Sequence, residues 1–339
     1  MNITHLLFDS SATDRVTFAE KGDGYAELRN GGMFVGARLR GDRGFEDFFM
    51  KSATGDTGFS HVGMRNYLAG VEGTYETRPE LEALFVDIES NTLRRVTSDC
   101  KEQTPLQMRI DGSSACCVRT SKDGRYVAIG DSEGVFELWN LDGKPYRYMV
   151  ADIGHGASIS DIGYSRSNLE AMVATTSGDL CIVDLARNGS VLLHCENRLP
   201  FYSVDGQHEG EGWVFGGDSE VLWFIRTTGV DMDKSVVADE VPFNLERRKT
   251  FTGKAYHVVP GLMNSWVGCI RTGVGSYVRR VRFLTDELVC VMGPEATEVW
   301  SIEGTQPRLV ARKRHDRDCR LLGFGGTSEN IVVALGRPM

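Results

Sequence analysis

The stretch Gly130-Asp131-Ser132-Glu133-Gly134-Val135-Phe136-Glu137-Leu138-Trp139-Asn140-Leu141-Asp142-Gly143 admits two incompatible readings, and the choice between them decides the fold. Its first five residues fit the G-x-S-x-G pattern, in which a sharp strand-to-helix turn lifts a nucleophilic serine. The remainder points elsewhere. Val135, Leu138 and Trp139, followed by a turn at 140–143, read as a β-strand leaving a tight hairpin. A nucleophile elbow needs a helix after the serine, whose dipole and N–H groups serve the oxyanion. A strand in that place makes Ser132 a turn residue.

Working outward, strand signals fall at 115–120, 126–130, 135–140 and 146–150, with turn residues between them. This is a four-stranded antiparallel meander of about 40 residues, with turns every 8 to 12 or so. The unit recurs at 159–164, 172–176, 180–185 and 191–194. Aligning the second turns puts Ser132, Ser177 and Ser219 in one column, at spacings of 45 and 42 residues. Helical periodicity is nearly absent: the one short candidate, Pro79-Glu80-Leu81-Glu82-Ala83-Leu84, runs straight into the strand-like Phe85-Val86-Asp87-Ile88. A fixed period of this length in an all-β chain is the mark of propeller blades, which cannot bury their faces alone.

On these residues the chain resembles the WD40-repeat family. Residues 128–140 are similar to that family's second hairpin, with Trp139-Asn140 at its Trp-Asp position, and Trp300-Ser301 holds a similar place. The preceding strand of such repeats carries apolar residues at i, i+3 and i+5. That spacing appears at Phe59/Val62/Met64, Ile159/Ile162/Tyr164, Val278/Val281/Phe283 and Cys319/Leu322/Phe324. The family's His, Ser/Thr, Asp, Trp tetrad is complete in no repeat. The copy beginning at His155 offers Thr175 or Thr176 and Asp179, but has Val183 where the Trp belongs. The resemblance implies a seven-bladed WD40-like β-propeller of four-stranded antiparallel blades, made by residues 1–339 as one domain. About 28 strands are expected, in seven sets of four. Residues 255–259 and 266–270 read as a hairpin that fits neither neighbouring blade. The strands at 319–335 supply only half a blade, so N-terminal strands are expected to complete it and remove exposed sheet edges.

Composition agrees with a folded chain. Of 339 residues, 41 % are hydrophobic, and 39 Gly against 9 Pro favour tight turns over linkers. No stretch approaches the roughly 18 apolar residues of a membrane helix, and the N-terminus lacks a basic segment followed by an apolar run. The eight Cys fall at no metal-ligand spacing, and the adjacent Cys116 and Cys117 point to opposite faces of a strand. Reduced thiols in a cytosolic or nuclear protein are expected. Catalytic and cofactor signals are lacking. Asp231-Met232-Asp233 opens like a calcium loop, but Val236 and Pro242 stand where Gly and Glu are required. His208-Glu209 reads as a solvated loop rather than a ligand pair. Neither an enzyme nor a cofactor or metal site is expected.

The charge is unevenly spread. The net charge is −9, yet residues 241–339 hold 15 Lys and Arg against 9 Asp and Glu, whereas residues 1–240 hold 23 against 38. The basic third contains Arg280 and Arg282, which strand alternation places opposite Val281 and Phe283, and the run Arg312-Lys313-Arg314. If 278–283 and 310–314 are the first and last strands of one blade, these five residues could form a positive edge for acidic partners. The expected function is a non-catalytic interaction scaffold, a monomer within a multiprotein complex. An RNA-contacting subunit of an RNA-processing or RNA-modifying complex is the alternative, opposed by the acidic balance and by Asp316 and Asp318 within the basic run.

Overall fold

The computed structural model describes residues 1–9, 15–18, 24–27, 33–39, 45–51, 59–67, 80–87, 90–97, 104–111, 114–121, 124–154, 156–164, 170–186, 190–196, 199–207, 212–226, 254–256, 266–303, 307–315, 320–326 and 330–337. His155, the pair His208-Glu209 and the segment from Asp231 to Pro242 lie outside these residues. Among the described residues the regular elements are strands. They belong to two compact units. The first comprises Met1–Ile129, Leu138–Tyr148 and His315–Met339, the second Gly130–Glu137 and Met149–Arg314.

In chain order come β1 (Asn2–Asp9), β2 (Arg15–Phe18), β3 (Gly24–Glu27), β4 (Met33–Leu39), β5 (Phe45–Lys51), β6 (Phe59–Tyr67), β7 (Glu80–Asp87), β8 (Thr92–Thr97) and β9 (Leu106–Gln107). Strands β2–β3 and β4–β5 pair as hairpins, and β6 to β9 make a four-stranded sheet. The opening stretch lies in the next sheet, β10 (Ala115–Thr120), β11 (Tyr126–Asp131), β12 (Val135–Asn140) and β13 (Tyr146–Asp152), ordered as a meander. Then follow β14 (Ile159–Tyr164), β15 (Glu170–Thr175), β16 (Asp179–Asp184), β17 (Ser190–Glu196), β18 (Phe201–Gly206), β19 (Gly212–Gly217), β20 (Val221–Arg226), β21 (Lys254–Tyr256) and β22 (Trp266–Arg271). The last strands are β23 (Arg280–Phe283), β24 (Leu288–Met292), β25 (Ala296–Ser301), β26 (Arg308–Arg314), β27 (Arg320–Gly326) and β28 (Asn330–Arg337). β23 to β26 form a meander, and β1 runs parallel to β28, from Asn2↔Asn330 to Asp9↔Arg337, in a three-stranded sheet with β27.

Strands β14 and β23 show why the i, i+3, i+5 pattern forms a strand and not a helix. Ile159, Ile162 and Tyr164 on β14 are all buried, as are Val281 and Phe283 on β23, because covered sheets take apolar side chains on both faces. In the second unit the side chains of Val214, Leu222 and Phe224 share one apolar cluster with Val281, Val289 and Val291, which joins the sheet of β18 to that of β23.

Three sequence expectations change. The helical candidate at 79–84 is strand from Glu80 on: β7 spans Glu80–Asp87, pairs with β6 and β8, and buries Leu84 and Val86 completely. Two ladders of hydrogen bonds plus burial outweigh the high helical propensity of Glu, Leu and Ala, which amounts to only about a few tenths of a kcal/mol per residue. Among the described residues the hairpin expected from 255–259 and 266–270 is not seen. β21 adds to β17, whereas β22 pairs with β20 over six residues from Arg226↔Trp266 to Val221↔Arg271. Each strand covers a different sheet's open edge.

The third change concerns the turn column. β11 ends at Asp131 and β15 at Thr175, and each is followed by two turn residues and a glycine with positive φ, Gly134 (87°) and Gly178 (97°). Thr176, not Ser177, is therefore the counterpart of Ser132, since the αL glycine sets the register of the turn. The caps agree. Asp131 Oδ1 accepts the N–H of Val135 at 2.6 Å and that of Glu133 at 3.0 Å, while Thr175 Oγ1 accepts the N–H of Asp179 at 2.9 Å. Ser132 is exposed and β12 follows it, so the nucleophile reading fails on geometry. Gly134 serves a close approach: a Cβ there would lie 2.6 Å from Gly154 Cα, and the Gly134 carbonyl accepts the N–H groups of Ile153 and Gly154.

Candidate functional site

The five basic residues singled out in the sequence lie on β23 and β26, the first and last strands of one sheet, as anticipated. That placement separates them, because three strand spacings amount to about 14 Å. It does not bring them to a common edge. Arg280 and Arg282 do share the face opposite Val281 and Phe283, but both are turned toward a buried carboxylate. Asp161 Oδ2, on β14, lies 3.9 Å from Arg280 and 3.5 Å from Arg282. Arg312 is engaged as well: through Nε and Nη2 it binds Glu298 Oε1, a carboxylate with no exposure, which also accepts the N–H of Gly273 at 3.0 Å and the indole N–H of Trp300 at 2.7 Å. Lys313 and Arg314 are exposed beside it on β26.

Arg312 therefore carries a structural role, and Arg312→Glu is expected to destabilise the fold by about 2 kcal/mol, less than for a fully buried pair because the guanidinium is partly solvated. The same change at Arg314 should stay within about 0.5 kcal/mol. Urea unfolding of the two variants checks this, and equal midpoints would refute the pairing.

A concave site lies nearby in the second unit. A cleft of about 490 Å³ is lined by Ser160 of β14, Tyr202 of β18, Asp218 from the β19–β20 turn, and Tyr277, Arg279 and Arg280 at the entry to β23. The chain forms it because three successive sheets present their first strands side by side. Ser203 Oγ donates to Asp161 Oδ2 at 2.7 Å and accepts the N–H of Val281 at 3.2 Å, and Asp205 Oδ2 accepts the N–H of Phe283 at 2.8 Å. These buried bonds hold β14, β18 and β23 in register, so the residues one position before the network face a common opening. The rings of Tyr202 and Tyr277 meet edge to face, 5.9 Å apart at 84°.

Burial raises the Tyr202 hydroxyl above the usual phenol range, and the Asp218 carboxylate, to which it donates, and Tyr277 add to the shift. The fold thus favours the neutral phenol. Its contribution is complete below about pH 10 and is lost as the pH rises past the raised value. Tyr202→Phe is expected to lose less stability than the wild type between neutral pH and strongly alkaline pH, measured as urea midpoints. A wild-type fall no larger than the variant's would contradict the assignment.

Sequence reasoning passed over Tyr202, Asp218, Tyr277, Arg279 and Ser160. Part of the signal was present. Ser160 and Tyr202 follow the leading apolar residues of β14 and β18, Ile159 and Phe201, and Arg279 follows Val278 just before β23. Reading that polar column, rather than the densest basic run, would have found half of the lining. Asp218 and Tyr277 come from connections of unlike sequence.

No family model matches the sequence, and no curated protein matches it. Solved structures are similar to it in fold. The β-propeller domain of Cps50 (Swd1) from Myceliophteria thermophila superposes with a TM-score of 0.56 at 12 % identity, over 95 % of this chain and 90 % of that one. Sqt1 from Chaetomium thermophilum, bound to the N-terminus of the ribosomal protein L10, gives 0.55 at 13 % identity, over 94 % and 80 %. The chain has the fold of a WD40-like β-propeller.

Proposed function

We propose that the protein is a non-catalytic interaction scaffold, a monomeric subunit of a multiprotein complex in the cytosol or nucleus, with residues 1–339 as one seven-bladed propeller domain. The observation that carries this reading is the cleft: two tyrosines and two arginines around one opening are the residue types that dominate binding energy at protein interfaces. The likeness to Sqt1, whose solved structure holds the N-terminus of another protein, supports peptide capture by such a fold. Free thiols at Cys116, Cys117, Cys181, Cys269 and Cys290 suit a reducing compartment. A second reading, RNA contact, is favoured by the exposed Arg308, Lys313 and Arg314 on β26.

Affinity purification from its native cells, with and without nuclease, separates the two. Stoichiometric protein partners that survive nuclease are expected. Their loss on nuclease treatment would transfer the reading to the RNA-contacting subunit, and the absence of any partner would refute both.

A further inference from the structure

The cleft carries an anchor of defined charge. Arg279 is partly buried in the lining, yet among the described residues its side chain makes no ion pair or hydrogen bond. A guanidinium held in a concavity without an ion-pair contact is poised for a ligand's anion, because its planar fork matches a carboxylate with two parallel bonds. Beside it Arg280 is oriented by Asp161, which reduces the ordering cost on binding. Asp218 supplies the opposite requirement, a carboxylate able to accept N–H donors, and the Tyr202–Tyr277 pair offers apolar ring surface.

We infer that this cleft receives an acidic peptide segment of a partner protein, with a Glu or Asp carboxylate bound by Arg279 and Arg280 and the adjoining peptide N–H groups facing Asp218. The inference rests on the interaction-scaffold reading and names its partner's chemistry. A peptide satisfies both signs of the site, since it brings a carboxylate and amide donors together. An RNA backbone brings a succession of phosphates toward Asp218 and is disfavoured by it. The volume fits, as pockets that enclose small ligands run from about 300 to 1,000 Å³.

The test is fluorescence anisotropy with a labelled peptide of alternating glutamate and alanine, its glutamine counterpart, and labelled oligouridylate. The wild-type chain should bind the glutamate peptide, and the glutamine peptide at least about tenfold more weakly. Arg279→Glu should reduce glutamate-peptide binding by about tenfold or more, with Arg279→Lys falling between, because a point charge replaces the fork. Its unfolding midpoint should match the wild type, as no ion pair among the described residues is lost. Arg314→Glu, on the far strand of the same sheet, controls for general charge and should change binding by less than about twofold. Equal losses in Arg279→Glu and Arg314→Glu, equal binding of the two peptides, no peptide binding, or Arg279-dependent binding of oligouridylate alone would each overturn the inference. If native partners still co-purify with Arg279→Glu while the peptide result fails, the cleft assignment falls and the scaffold reading stands.

Discussion

Asp161→Ala is expected to lower stability by about 3 to 5 kcal/mol, the usual cost of removing one partner from a buried ion pair. The carboxylate is 1 % exposed, and the two arginines it serves are each less than a quarter exposed. Besides Arg280 and Arg282 it holds the Ser203 hydroxyl at 2.7 Å and the backbone N–H of Val204 at 3.1 Å through Oδ2, and the N–H of Ile162 at 3.0 Å through Oδ1. Removal takes the carboxylate from two guanidinium groups and leaves buried N–H donors short of an acceptor, at about 1 to 3 kcal/mol for each unsatisfied group. Asp161→Asn keeps an acceptor oxygen but not the charge and should fall between. Urea unfolding is the measurement. A loss below about 1 kcal/mol for the alanine variant would show that the three first strands do not depend on this network.

Trp139→Ala is expected to cost about 3 to 5 kcal/mol, the range for deleting a buried aromatic side chain. The ring is 7 % exposed on β12, with the Arg147 guanidinium 6.0 Å from its centroid, so its loss leaves both a cavity and a cation without its π face. Ser132→Ala, seven positions upstream in the disputed G-x-S-x-G stretch, should cost less than about 1 kcal/mol and leave partner binding unchanged. The turn is held by the Asp131 carboxylate and by Gly134 in the αL region, neither of which uses the serine hydroxyl. Paired thermal melts check the order. A reversal would mean that the hydroxyl and not the strand after it carries this hairpin.

Both predictions separate local signals from distant ones. Strand identity around Trp139 was legible because turn glycines and alternating apolar residues act within a few positions, and such short-range constraints survive in the order of residues. The slip at Ser177 came from aligning on a side chain that the turn does not use. The misread first half of β7 and the separate pairing of β21 and β22 share one cause: pairing partners for these strands are chosen by open sheet edges elsewhere in the chain, which local propensity does not encode.

The sequence by itself determined that the chain is built of antiparallel meanders, that Ser132 is a turn residue between strands instead of the opening of a helix, and that the last third is basic. Tertiary structure alone decided which of those basic residues retain charge for a partner. Asp161 meets Arg280 and Arg282 only when β14, β18 and β23 lie side by side, and Glu298 claims Arg312 across the β25–β26 ladder while Arg279 is left facing a cleft. The physical reason is that a buried carboxylate must find a counter-charge wherever the fold delivers one. Spacing along the chain carries no record of that encounter.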